Sequence, residues 1–209
     1  MSDTQIISLA EDCVEIALAR ADLAHRLADQ LRLKGAFEAV VPGLRSVAIR
    51  FDPMTQTVSD VEAEIHKAVD QMSTETAPTT GLELTIPLRY GGATGPDFEE
   101  ICARAGLSKD ALITLHSSRV YPVEMVGFTP GFAYLAGLPA ALQLPRRDTP
   151  RVRLPVGSVG IAGAYTGLYA MSGPGGWSII GQTDAVLFDP DQTDPFRVTP
   201  GMSIRFVPV

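Results

Sequence analysis

The chain has 209 residues, 45% hydrophobic, 20% charged and 7% aromatic, enough apolar material for one large domain or two small ones and too much for a disordered chain. Lys+Arg 17 against Asp+Glu 24 leaves a net charge of -7, a poor match to a duplex nucleic-acid surface. Two cysteines, Cys13 and Cys102, exclude a disulfide framework and a Cys-rich zinc fold. No apolar run approaches the ~20 residues of a membrane helix, and no charged-then-apolar leader opens the chain. A cytoplasmic protein with no membrane partner and no nucleic-acid partner is therefore expected.

The composition divides sharply. Residues 1–86 hold three Gly and three Pro, whereas residues 87–209 hold sixteen Gly and thirteen Pro. Charge divides at the same place: 7 basic and 14 acidic residues before it, 10 and 10 after it. Between the parts, Ser73 to Gly81 is polar and coreless, which is linker composition. Two domains are expected, 1–76 and 77–209.

In the first, Cys13 to Leu18 reads as a short strand, and Leu23, Leu27 and Leu31 mark an amphipathic helix. Phe37 to Val41, the turn Pro42-Gly43 and Ser46 to Phe51 read as a hairpin, because Val47, Ile49 and Phe51 alternate with Ala48 and Arg50. Ser59 and Glu62 have capping-box spacing, followed by Val61, Ile65, Val69 and Met72 on one helical face. The order β-α-β-β-α is a ferredoxin-like split motif without its last strand.

The second domain opens with Leu82, Leu84, Ile86 and Leu88 in alternation; Pro87 should put that strand at an edge or end it. Asp97 and Ser108 are placed to cap two short helices, with Gly106 closing the first. Apolar runs at 119–128, 156–161, 165–171, 177–180, 185–188 and 202–207 are then separated by Gly and Pro turns, the pattern of a closed or strongly bent β-structure. The fold class is α+β.

Several chemistries lack their residues. None of the three lysines (Lys34, Lys67, Lys109) follows a glycine, so there is no phosphate-cradling Gly-Lys loop. Gly157-Ser158-Val159-Gly160 has the wrong spacing for a nucleophile elbow. The three histidines lack zinc-site spacing, so no metal is expected. No Met-Lys-Met appears, so no covalent biotin is expected either. Carboxyl or phosphate chemistry would need a partner to supply part of the site.

Four segments could carry chemistry. His116 is either a helix-terminating cation favoured by the C-terminal carbonyls or a general acid/base. Arg146, Arg147, Arg151 and Arg153, stiffened by Pro145, Pro150 and Pro155, form a cationic loop suited to a carboxylate or phosphate; the alternatives are a solvated loop or pairing with the acidic first domain. Leu154 to Thr183 holds no Asp, Glu, Lys or Arg in thirty residues, and its glycines, among them Gly160, Gly175 and Gly176, suit tight barrel turns or a ligand-hugging loop. Trp177 beside them is core or a pocket wall. Phe128, Phe132 and Tyr134, around the turn Pro130-Gly131, plug the barrel or line a pocket or partner surface.

Tyr90-Gly91-Gly92, Gly95-Pro96-Asp97, His116-Ser117-Ser118, Gly127 to Leu135, Pro145-Arg146-Arg147, Thr149-Pro150-Arg151, Gly157 to Gly163, Pro174 to Trp177 and Leu187-Phe188-Asp189-Pro190 occur in that order. This string of motifs resembles the family of 5-oxoprolinase B subunits, also called allophanate hydrolase subunit 1 or the sporulation-kinase-inhibitor family (carboxyltransferase domain, subdomain C and D). It covers essentially all of 82–209; the first domain matches mainly through Pro42-Gly43 and Phe51-Asp52-Pro53.

The resemblance implies a cyclophilin-like β-barrel related to half of the urea carboxylase carboxyltransferase. It implies work beside a C-type subunit with a related barrel and a separate A-type subunit, opening 5-oxoproline to glutamate with ATP that is shared with or supplied by those partners. On that basis Arg146, Arg147 and Arg151 would stabilise oxyanion and phosphate, and His116 would move a proton. Tyr90, Phe128, Pro130, Gly131, Phe132, Tyr134, Ser158, Gly160, Gly175, Gly176 and Trp177 would contact substrate or partner. Two other roles share these motifs: a regulator binding a histidine kinase through the aromatic loop, and half of a biotin-dependent carboxyltransferase acting on urea, allophanate or a similar small amide.

Overall fold

A computed structural model describes residues 5–72 and 81–209 and divides into two compact units, Met1–Pro78 and Thr79–Val209. The expected boundary at 76/77 and nearly all of the expected linker lie outside the described residues.

The first unit is a four-stranded antiparallel sheet in the order β1(Ile6–Ala10), β2(Cys13–Ala17), β4(Ser46–Arg50), β3(Ala39–Pro42), with helices α1(Ala21–Lys34) and α2(Val58–Gln71). Val14, Ile16, Val47 and Ile49 alternate inward from the strands and meet Leu27, Leu31, Val61 and Ile65 of the helices in one core. The split β-α-β arrangement is as expected: β4 lies between β2 and β3, antiparallel to both. The place beside β2 is filled by β1, a strand the periodicity does not reveal because Ile7 and Leu9 stand exposed on this edge. The capping box is Thr57 with Asp60, two residues before the expected Ser59 and Glu62. Thr57 Oγ1 accepts from the Asp60 N–H at 3.2 Å, while the Asp60 carboxylate accepts from the Thr57 N–H at 2.9 Å.

The second unit is a closed barrel of seven strands: β10(Tyr165–Leu168), β7(Ala133–Ala136), β6(Val120–Val126), β13(Ser203–Pro208), β5(Glu83–Tyr90), β12(Ser178–Gln182) and β9(Ser158–Ala162). β5 and β13 run parallel, and the other pairings are antiparallel. Over 83–88 the only strand paired with β5 among the described residues is β13, and β12 joins at Arg89 and Tyr90. Pro87 thus lies in a one-sided stretch, as its missing N–H requires, but the strand continues past it to Tyr90.

Helices α3(Phe98–Ala105) and α4(Lys109–Ser117) bury Phe98, Ile101 and Leu112 in the barrel core. Gly106, at φ 66, closes α3, and Ser108 Oγ accepts from the Ala111 N–H as expected. A two-stranded ribbon, β8(Arg151–Leu154) with β11(Gly173–Gly175), completes the unit. It lies where the sequence suggests only loops. The run at 185–188 forms no strand; Phe188 makes a single bridge to Phe196. Among the described residues no helix is long and apolar enough to cross a membrane.

Candidate functional site

Asp97 stands just before α3, yet its carboxylate does not cap that helix as its position suggests. Its Oδ2 accepts from the Ile179 N–H of β12 at 2.7 Å, and its own N–H donates to the Ile179 carbonyl at 3.1 Å. Arg151 grips both carboxylate oxygens at 2.8 and 2.7 Å, and Arg147 Nη1 donates to Oδ1 at 2.7 Å. The Asp97 side chain is only 4% exposed, against 33% and 28% for Arg147 and Arg151. Burial would push this carboxyl up, but Arg151, the Ile179 N–H and the Arg147 charge together hold it below the usual carboxylate range. The same bonds raise Arg151. Two guanidiniums on one carboxylate leave a positive surplus, which Glu100 offsets in part at Arg151.

Gly95 explains why the 91–97 loop can lie this close. A Cβ there would collide with the Ile180 carbonyl, and Gly91, at φ 68, donates its N–H to that carbonyl at 3.0 Å. The Arg147 backbone is tied to the other side of the site by its N–H to the Gly176 carbonyl at 2.7 Å.

An aromatic cluster accounts for part of the glycine-rich stretch. The Phe132 ring lies 4.8 Å from Tyr134, 4.7 Å from Tyr169, 5.5 Å from Trp177 and 5.8 Å from Phe128. A Cβ on Gly167 would stand 2.6 Å from Trp177 and 2.8 Å from Phe132, and one on Gly160 3.0 Å from Trp177. Gly175 is likewise filled by Tyr169 and Leu154, and Gly131, at φ 75, by Ala170. The room these glycines leave is taken by the chain's own side chains, which argues against the ligand-hugging reading at Gly160 and Gly175. Gly176 has only Pro150 and the Arg147 carbonyl nearby, at 3.6 Å or more. Ser158 Oγ donates to the Pro155 carbonyl at 2.8 Å within a tight turn.

Three residues of this region remain open to the outside. Phe128 is 64% exposed and, at φ 79, is the one non-glycine residue with positive φ among the described residues. A side chain is strained at such a φ, and outliers of this kind cluster at functional sites. Pro130 is exposed beside it. Arg146 is exposed too, and its charge acts on the Tyr134 and Tyr169 hydroxyls against the burial that raises both, Tyr169 to about 12.

His116 stands apart from this group. It has no exposed surface, and its ring stacks on Phe206 at 5.0 Å with Tyr121 at 5.2 Å. Burial lowers its pKa to about 3, so the ring is neutral and the cationic helix-end reading is overturned. Its neighbours fix the tautomer. Thr166 Oγ1 donates to the Gly160 carbonyl at 3.2 Å, so it accepts from His116 Nε2 at 3.1 Å, and the Tyr90 hydroxyl donates to Nδ1 at 2.7 Å. The Tyr121 hydroxyl donates to the His116 carbonyl at 2.8 Å. Both His116 and Tyr90 therefore belong to the barrel's interior polar chain rather than to the arginine group.

Two shallow concavities, of about 370 and 350 Å³, are lined by residues 186–189, 192 and 194–197 and by Thr85, Ile86, Pro87, Arg89, Thr183, Asp184, Ala185 and Arg197. Neither is lined by Arg146, Arg147 or Arg151. Asp97 is the member that sequence reasoning missed; four arginines clustered in one short segment call for a buried acid, and that was the available signal.

The family described as "Carboxyltransferase domain, subdomain C and D" matches residues 2–198. The B subunit of 5-oxoprolinase from Escherichia coli O157:H7 is 40% identical over 191 residues, 89% of this chain and 83% of that protein. The protein of the same name from Haemophilus influenzae is 37% identical over 186 residues, 86% of this chain and 83% of that one. Among solved structures, that of TTHA0988 superposes with a TM-score of 0.79 at 30% identity; the match covers 94% of this chain but 39% of that longer one. The motifs read from the sequence, the closed barrel and these likenesses agree: the chain belongs to the carboxyltransferase-domain, subdomain C and D, family, and its relatives named as B subunits of 5-oxoprolinase match it over most of their length.

Proposed function

We propose that this chain is the B-type subunit of an ATP-dependent 5-oxoprolinase, contributing cationic and aromatic surface to a site that A-type and C-type subunits complete in the cytoplasm. The observation that carries this reading is the 40% identity to a B subunit of 5-oxoprolinase over most of both chains. The site geometry supports it from the chemical side. Arg147 and Arg151 are anchored on Asp97 with charge to spare, Arg146 is exposed nearby in sequence, and the chain has no Gly-Lys phosphate loop or nucleophile elbow.

A lactam resists water because amide resonance stabilises its ground state. ATP, drawn from the partner subunits, supplies the phosphoryl group that makes the lactam oxygen a leaving group. With ADP released, water adds at the carbonyl carbon and the C–N bond breaks to leave the free amine and γ-glutamyl phosphate, which a second water hydrolyses to glutamate and phosphate. The part of this chain is electrostatic: its guanidiniums stabilise negative charge as it develops on oxygen. His116 takes no part in proton transfer in this scheme, since the ring is sealed inside the barrel. Phe128 is the anchor offered to a partner barrel.

The test is reconstitution. The chain mixed with its A-type and C-type partners releases glutamate and phosphate from 5-oxo-L-proline and ATP, and the chain alone releases neither. A complex that forms but turns over urea or allophanate instead removes the proposed substrate.

A further inference from the structure

Arg147 is held unusually. Among the described residues its guanidinium makes one hydrogen bond, from Nη1 to Asp97, while Nε is buried without a partner. An unpaired buried donor is costly, so it persists only where surrounding contacts impose it. Three contacts do so. Asp97 is locked to Ile179 by two hydrogen bonds, both oxygens of its carboxylate are clamped by Arg151, and the Arg147 backbone is tied to Gly176. The carboxylate thus has no freedom to follow Arg147; Arg147 is oriented by it, with a third of its side chain at the surface and positive charge in excess.

We propose that Asp97 is a positioning residue that aims Arg147 at an incoming oxyanion, a carboxylate or a phosphate group. This deepens the function proposed above and rests on it for the identity of the oxyanion, since 5-oxoproline brings a carboxylate and ATP brings phosphate. Two oxygens of a carboxylate or a phosphate suit the donors of Arg147 left over by Asp97. Asp97 itself touches no reactant.

The test measures equilibrium binding to the assembled complex by calorimetry, with 5-oxo-L-proline, its carboxamide and inorganic phosphate as separate probes. Asp97→Asn keeps the shape and removes the charge; Arg147→Lys keeps the charge and removes the fork. Each weakens one oxyanion probe at least tenfold, leaves the carboxamide unchanged, and the double variant binds no more weakly than Arg147→Lys alone, because Asp97 acts through Arg147. The probe that responds, 5-oxoproline or phosphate, identifies the oxyanion. A folded Asp97→Asn complex that binds both as the unaltered one does, additive losses in the double variant, or equal losses for the carboxamide overturn the proposal. If Asp97→Asn does not fold, Asp97→Glu against Arg147→Lys carries the same comparison with the same outcomes. Oxyanion binding that depends on Asp97 in a complex without 5-oxoprolinase turnover would leave this assignment standing and remove the proposed reaction.

Discussion

Tyr90 donates its hydroxyl to His116 Nδ1 at 2.7 Å, and the opposite ring nitrogen faces Thr166 Oγ1 at 3.1 Å, so a neutral imidazole joins β5 to β10 across the barrel. The chain of donors runs one way, from Tyr90 through His116 and Thr166 to the Gly160 carbonyl. Protonating the ring would put a hydrogen on Nδ1, where Tyr90 already donates, and would bury a charge between Phe206 and Tyr121.

The pH dependence of stability follows. The folded-state pKa of His116, about 3, lies below the ordinary value, so between the two the unfolded chain binds the extra proton. Stability from this group is complete above about pH 6.5 and declines as the pH falls toward 3, by up to about 1.4 kcal/mol per pH unit. Asp97, held low by Arg151 and Arg147, adds a loss of the same sign in more acid solution. Urea unfolding between pH 7 and pH 4 should show this slope, and His116→Gln should reduce it by nearly one proton while lowering stability at pH 7. An unchanged slope would contradict the buried neutral ring.

Gly167 has no room for a methyl group between Trp177 and Phe132, whereas Gly173 has nothing within 4 Å of a built Cβ. Gly167→Ala should cost about 1–3 kcal/mol of stability through overpacking, and Gly173→Ala should be close to neutral. Thermal melts of the two variants check the pair. Equal melting temperatures would mean that the aromatic cluster is loosely packed.

Phe128 opposes stability and function at one position. Its φ of 79 strains any residue with a Cβ, and the ring is mostly in water. Phe128→Gly should therefore leave the isolated chain as stable or more stable, by about 1 kcal/mol, while weakening copurification with the C-type partner at least tenfold. A variant that copurifies as well as the unaltered chain would remove Phe128 from the interface.

Local signals in the sequence carry through to the structure wherever periodicity and burial coincide. The leucine spacing of α1, the β3–β4 hairpin and the caps at Gly106 and Ser108 all lie where residue pattern places them. β1 escapes because its apolar residues face outward on a sheet edge. β8 and β11 escape because four residues and three, among prolines and glycines, show no period. The cap of α2 slips by two residues because Thr57–Asp60 and Ser59–Glu62 have the same spacing, and only the helix start distinguishes them. The site is half legible. Arginines and aromatics stand out by clustering, but the partners of Asp97 lie 50, 54 and 82 positions away, and an Asp before a helix reads locally as a cap. His116 misleads for a related reason: the end of α4 is a surface in sequence and the barrel interior in space.

The most direct measurement is ATP-dependent glutamate release from 5-oxo-L-proline by the complex of all three partners carrying Arg147→Ala, beside the unaltered complex. Loss of a guanidinium that stabilises charge on oxygen should lower kcat/KM about a hundredfold with the complex still assembled. An Arg147→Ala complex as active as the unaltered one would contradict an electrostatic role for the arginine pair on Asp97.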